Sequence, residues 1–224
     1  GGQDLRELLP PIGQLDDAQL QAIRTPRDKA LLVHGPPGSG KTVIALYRAW
    51  SLKKSGSSFD LFVYGKVLFS YLKKSLIHLG VTTDREAAQF PKTFHGWFKK
   101  HYKDRFGKSA PVVDPYHAEL KWQYVWDEIS SQFLQHGFTE EFDQLIIDEG
   151  QDLPLDFFTF APYMSKSITV FADDNQALFE NNTTLKRMRI SLTRFQPEEI
   201  RLTENHRNSL EIAKFANLFE TKGV

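Results

Sequence analysis

Gly35-Pro36-Pro37-Gly38-Ser39-Gly40-Lys41-Thr42 constrains this chain more than any other stretch. It fits G-x-x-x-x-G-K-[ST]. It lies between the apolar run Ala30-Leu31-Leu32-Val33 and a helical pattern of Val43, Ile44, Leu46 and Tyr47. Strand, glycine-rich turn and helix in that order make a phosphate-binding loop. Glycines let backbone N–H groups turn toward one point, and the helix start adds positive potential there. Lys41 is expected to reach the outer phosphates of a nucleoside triphosphate such as ATP, and the Thr42 hydroxyl to hold Mg²⁺.

The rest of the chain repeats the strand–helix rhythm. Strand candidates are Ala30–His34, Phe59–Tyr64, Asp143–Ile147, Ile168–Ala172 and Glu199–Thr203. Helical patterns cover Thr42–Lys54, Val67–Leu79, Phe94–Lys103, Leu120–Gln135, Pro154–Met164 and Ser209–Phe219. Two further helical stretches, around Leu5–Leu9 and Asp16–Ile23, precede the first strand, with Asp16 or Asp17 able to cap the second. Alternation of this kind calls for a parallel sheet covered on both faces. The strands read as continuous apolar runs, as buried parallel strands should. Residues 96–140 break the rhythm. They are rich in Lys, His and aromatics, including Trp97, Tyr102, Trp122, Tyr124 and Trp126, and read as a helical insertion. Its basic cluster from Lys99 to Arg105 is either a solvated helix face over an aromatic core or a nucleic-acid contact through charge and base stacking.

Charge is balanced, 28 Lys and Arg against 28 Asp and Glu, so the total carries no basic surplus of the kind nucleic-acid binders show. There is no cysteine, which excludes disulfides and Cys-ligated zinc and fits a reducing cytosol. No apolar run is long enough to cross a membrane, and the Gly-Gly-Gln-Asp start lacks a secretory signal. A cytoplasmic location with no membrane partner is the expectation. The seven histidines show no ligand spacing, and His34 reads as a strand-end packing residue.

Polar groups gather at the ends of the predicted strands. Asp148-Glu149-Gly150-Gln151-Asp152 follows Leu145-Ile146-Ile147. Carboxylates at the carboxyl end of a buried parallel strand face the crevice where ligands bind. Asp148 would hold Mg²⁺, and Glu149 would polarise an attacking water as general base. The plainer alternative is an acidic strand end capping the next helix. Asp173-Asp174-Asn175-Gln176 stands at another strand end, where Gln176 reaches the outer phosphate or the water, unless the stretch is only an Asp-rich turn. Arg207, after the fifth strand, either forks onto phosphate oxygens or pairs with a surface acid.

Taken in order, these stretches resemble the UvrD/Rep-type branch of superfamily 1 helicases and translocases. Leu15-Asp16-Asp17-Ala18-Gln19 resembles that family's adenine-reading element, with Gln19 in the reading position. Gly35–Thr42 matches its phosphate loop, and Asp148–Asp152 its D-E-x-Q-D form. Thr93-Phe94-His95 resembles its T-F-H element, which lies near single-stranded DNA. Asp173–Gln176 resembles G-D-x-x-Q with Ala172 in place of Gly, and Leu202–Ser209 resembles L-x-x-N-Y-R-S with His206 in place of Tyr. The resemblance implies that Arg207 senses the γ-phosphate from the start of a second lobe, and that His206 stacks on adenine. It departs at Val43, where the family often has an adenine-packing Arg. It departs again at Tyr64-Gly65-Lys66, where T-x-N is usual, and at Phe179-Glu180-Asn181-Asn182, where an aromatic–Arg pair is usual.

The expected fold is an α/β RecA-like P-loop domain over residues 1–201, mostly parallel, with helices on both faces and a short insertion at about 96–140. Residues 202–224 would open a truncated second lobe. The expected function is the ATP-binding and hydrolysing core fragment of a helicase-like, DNA-dependent motor. Such a fragment would be weakly active and unable to unwind alone. Lys41, Glu149, Gln176 and Arg207 would act in catalysis, with the parent protein bound to single-stranded DNA. The alternative is a nucleotide-gated regulatory module that controls a protein partner. A phosphotransferase acting on a small acceptor fits less well, because the Asp148–Glu149 pair and Arg207 would lack a purpose.

Overall fold

Leu31–Gly35 (β1) reads Leu-Leu-Val-His-Gly, and every residue of it is buried. In the computed structural model, which describes residues 15–63, 66–83, 92–118, 120, 123–136, 141–148, 153–173 and 181–204, this strand lies inside a six-stranded sheet. The elements follow as α1 (Asp17–Arg24), β1, α2 (Lys41–Ser55), β2 (Phe59–Val63), α3 (Lys66–His78), β3 (Lys92–Thr93) and α4 (Phe94–Phe106). They continue as α5 (Trp126–His136), β4 (Phe142–Asp148), α6 (Leu155–Met164), β5 (Ser165–Asp173), α7 (Asn181–Ser191), a 3₁₀ turn (Thr193–Phe195) and β6 (Glu198–Arg201). The strand order is β3-β2-β4-β5-β1-β6, and each neighbouring pair is parallel. The α/β class read from the alternating pattern is the observed one.

Successive side chains of a strand point to opposite faces, so one apolar run feeds two cores. Leu31, Val33, Leu61, Val63, Ile146 and Phe171 pack on one face with Ala22, Ile44, Leu46, Leu72 and Leu76 of α1, α2 and α3. Leu32, Phe62, Leu145, Ile147, Val170 and Ala172 pack on the other with Phe94, Phe98, Ile129, Phe158 and Met188 of α4 to α7. That two-sided burial is why the strands lack polar alternation.

The insertion departs from its expected outline. Helix α5 begins at Trp126 rather than Leu120. Val112 and Tyr124 instead form an antiparallel bridge, with Val113 N donating to Gln123 O at 2.8 Å and Val125 N to Pro111 O at 2.9 Å. Backbone groups satisfied across this pair are not offered to a helix. Several of its aromatics are core residues. Trp97, Phe98, Tyr102 and Tyr124 are 5%, 0%, 1% and 5% exposed. The Trp97 indole stacks on Phe62 at 4.7 Å and donates Nε1–H to the buried Asp60 carboxylate at 2.9 Å. The solvated-face reading of the Lys99–Arg105 cluster therefore holds for its rings: Tyr102 offers no surface to a base, while Lys99, Lys100 and Lys103 face solvent. The Leu5–Leu9 and Ser209–Phe219 helices lie outside the described residues.

Because the strands are parallel, β1, β4 and β5 end at one edge of the sheet. Gly35 stands in register with Asp173, and Val63 with Asp148. The loop and the acidic strand ends thus share that edge.

Candidate functional site

Leaving β1, the chain turns through a segment whose conformation only glycine tolerates at two points. Gly38 and Gly40 have φ of 76° and 88°, in the left-handed region that penalises any Cβ. Gly40 is the N-cap of α2 and supplies no side chain to the first-turn amides. The helix start thus carries no side-chain cap, as an anion site requires. Gly35 answers to a different constraint. A Cβ there would lie 2.8 Å from the Leu202 carbonyl oxygen and 2.9 Å from Ser39 Oγ, so the loop starts hard against the segment that leaves β6.

Lys41 folds over this loop. Its Nζ donates to Gly35 O at 2.8 Å and to Pro36 O at 2.9 Å, with Ser39 Oγ at 3.4 Å. Pro36 O also accepts from Ser39 N at 3.3 Å, which closes the turn around Pro37. Thr42 follows, half-buried in the first turn of α2. Val43, where the resemblance leads one to look for an adenine contact, is 1% exposed and packs in the core.

Asp148 ends β4 at 3% exposure, and Asp173 ends β5 half-buried. A buried carboxylate and a threonine hydroxyl are the hard oxygen donors that suit Mg²⁺. The other expected site residues, Glu149, Gln176, His206 and Arg207, lie outside the described residues.

Gln19 is fully buried beside the loop. With Asp16 it forms a capping box that starts α1: Gln19 N donates to Asp16 Oδ1 at 2.8 Å, and Asp16 N to Gln19 Oε1 at 3.0 Å. Its remaining amide group, Nε2, donates to Ser39 O at 2.8 Å. Both ends of this side chain thus brace α1 against the phosphate loop. Sequence reasoning placed Gln19 at the site but missed this brace, although the Asp16-x-x-Gln19 spacing announces half of it.

Of the T-F-H element, Thr93 is exposed and N-caps α4, while Phe94 is 1% exposed and sits edge-on to Phe157 at 5.1 Å. Phe94 is thus a core residue. His95 is half-buried, with Nδ1 3.4 Å from the Tyr124 hydroxyl. Burial lowers its pKa, and the nearby Lys99 lowers it further, so both favour the neutral ring. His34, read as a packing residue, is 8% exposed, and its Nε2 also lies 3.0 Å from Glu199 Oε1. No sequence pattern marks Arg48. Its buried guanidinium donates to Thr25 O at 3.0 Å and to Pro26 O and Lys29 O at 3.4 Å, fastening the α1–β1 connection to α2.

Comparisons with known proteins agree with this architecture. The helicase domain of Pyrococcus furiosus Hef superposes with a TM-score of 0.50 at 13% identity over 92% of this chain, a likeness of fold. This chain spans 40% of the length of that one. Comparison with curated proteins gives no match. Among the described residues no helix is long and apolar enough to cross a membrane. A family model described as an AAA domain matches residues 19–181, which takes in the phosphate loop, the acidic end of β4 and the end of β5. The chain belongs to that AAA domain family and carries a helicase-like ATPase fold.

Proposed function

We propose that this chain is the ATP-binding and hydrolysing core of a DNA-dependent motor of the UvrD/Rep type. The observation that carries the reading is the loop itself. Two left-handed glycines, a helix start with no side-chain cap and the Lys41 ammonium are brought together in one loop at the carboxyl edge. Such a convergence suits a polyphosphate and little else. A bound triphosphate would draw Lys41 away from the Gly35 and Pro36 carbonyls toward its outer oxygens. Thr42 and Asp148 would hold Mg²⁺, which when bound neutralises phosphate charge. Glu149 would orient and deprotonate water, while Gln176 and Arg207 would face the γ-phosphate. His206 would stack on adenine. Gln19 would read that base with the second N–H of Nε2 and the second lone pair of Oε1, while Ser39 O and Asp16 N hold its amide in place. Residues 1–201 form the ATPase domain in this reading, and 202–224 open a second lobe. The motor would be cytoplasmic, and Thr93 and His95 would lie near the single strand.

A second reading is a nucleotide-gated module acting on a protein partner. The burial of Phe94, Trp97 and Tyr102 favours it, because it removes rings that a translocase would offer to bases. Steady-state ATPase assays of the parent protein, with and without single-stranded DNA, separate the two. Stimulation by the strand supports the motor. Turnover that DNA leaves unchanged, while a partner protein alters it, supports the module.

A further inference from the structure

Three segments that flank the site meet behind the phosphate loop. β1 runs directly into that loop. α7 follows the Asp174–Glu180 stretch that contains Gln176, and β6 precedes the stretch that contains His206 and Arg207. One side-chain chain joins all three. Arg189 of α7 donates from Nε to Glu199 Oε2 at 2.7 Å and to Oε1 at 3.0 Å. Glu199 of β6 in turn lies 3.0 Å from His34 Nε2, on the residue immediately before Gly35.

The backbone repeats the connection. Leu202 N donates to His34 O at 2.7 Å, and Glu198 N to Ala30 O at 2.9 Å. Gly35 leaves no slack toward Leu202, whose carbonyl oxygen a Cβ would meet at 2.8 Å. A shift of the loop's first residue therefore either carries the exit of β6 with it or breaks these contacts. Closely packed backbones transmit displacement in this way because they cannot deform gradually.

We infer that Arg189, Glu199 and His34 form a positioning relay that makes the exit of β6 follow the state of the 35–42 loop. The inference rests on the nucleotide reading above. Arg189 and Glu199 are 47% and 31% exposed at their side chains, so as ion pairs they add little to stability. Their value lies in direction: the carboxylate is shared between α7 and β1 and fixes where β6 sits between them. The Arg189 bond, ahead of the weaker pull of His34, holds the Glu199 carboxyl below its ordinary range, so it is ionised at neutral pH. The relay would report nucleotide occupancy to whatever follows β6. The three residues are positioning groups, since none of them touches the expected ligand.

Hydrogen exchange read by mass spectrometry tests this on the whole chain, with and without Mg²⁺ and a non-hydrolysable ATP analogue. In the wild type, the analogue is expected to slow exchange several-fold in a peptide spanning the 35–42 loop and in one spanning 198–204. In Glu199→Gln the loop peptide stays protected, while protection of 198–204 falls to less than half. Arg189→Gln, at an exposed position, is expected to do the same in part and serves if Glu199→Gln fails to fold. Restoration by Glu199→Asp would mark the carboxylate as the active element. Equal protection of 198–204 in the wild type and in both Gln variants overturns the relay and leaves the nucleotide reading intact. Absence of loop protection in the wild type overturns the nucleotide reading, and the relay with it.

Discussion

Gly35→Ala is the substitution whose outcome follows most directly from the geometry. The new methyl carbon would stand 2.8 Å from the Leu202 carbonyl oxygen, 2.9 Å from Ser39 Oγ and 3.0 Å from Leu202 Cβ. Ser39 can turn its hydroxyl aside. Leu202 cannot move alone, because its carbonyl is backbone and its N–H is bound to His34 O at 2.7 Å. Either β6 or the loop must therefore yield. Overpacking of this kind costs about 1–3 kcal/mol. For a chain of this length that lowers Tm by roughly 2–12 °C, at about 2–4 °C per kcal/mol. Gly56→Ala provides the contrast. Its φ of 71° strains any side chain, but nothing lies within 4 Å of its Cβ position. It should cost about 1 kcal/mol through backbone strain alone. Calorimetric melting of both variants, followed by titration with ATP, separates the two mechanisms. Gly35→Ala should lose stability and ATP affinity together, whereas Gly56→Ala should lose only stability. A Gly35→Ala variant that melts within about 1 °C of the wild type and binds ATP equally well would refute the close-approach argument.

Lys41→Ala should weaken ATP binding by about 1.5–3 kcal/mol, the range for a lost charged hydrogen bond, as read by calorimetric titration. Glu149→Gln should bind ATP normally and not turn it over in a phosphate-release assay. Arg48→Met should destabilise by about 1–3 kcal/mol in urea unfolding, because the Thr25, Pro26 and Lys29 carbonyls lose their donors. Burial lowers the Arg48 pKa to about 10, so the charge persists at neutral pH, and Arg48→Lys should not rescue, since one ammonium cannot span three carbonyls. Burial chiefly, with Arg105 adding, lowers the pKa of His101 against the opposing pull of Glu141, Asp60 and Asp104. The unfolded chain therefore takes up this proton first as pH falls, and stability should decline as pH drops through about 6.5. His101→Phe, which preserves the stack on Trp97 at 5.1 Å, should flatten that part of a Tm–pH profile.

The parts of this fold that sequence revealed are those in which one physical demand dominates. Left-handed turns at Gly38 and Gly40 and a run such as Leu145-Ile146-Ile147 leave few other conformations open. β3 is two residues long and pairs, among the described residues, through Phe62–Lys92 and Val63–Thr93, too short for a pattern. α7 is polar along most of its length and anchors through Met188, so periodicity does not mark it. Residues 120–125 look helical because Leu120, Tyr124 and Val125 have suitable spacing, yet the cross-bridge of Tyr124 with Val112 takes the backbone elsewhere. At the site, residue types disclosed the loop, Asp148 and the neighbourhood of Gln19. They did not disclose that Gln19 spends its amide on Ser39, nor that Glu199 joins His34 to Arg189. Those are contacts between distant residues, and only the folded register of β1 with β6 brings them together.

A crystal structure of the chain with Mg²⁺ and a non-hydrolysable ATP analogue would show whether the 35–42 loop is the triphosphate site. The triphosphate should sit within the amides of residues 38–42, with Lys41 turned from the Gly35 and Pro36 carbonyls onto its outer oxygens and the metal between Thr42 and Asp148. A nucleotide bound on another face, with Lys41 still on its own loop carbonyls, would contradict that assignment.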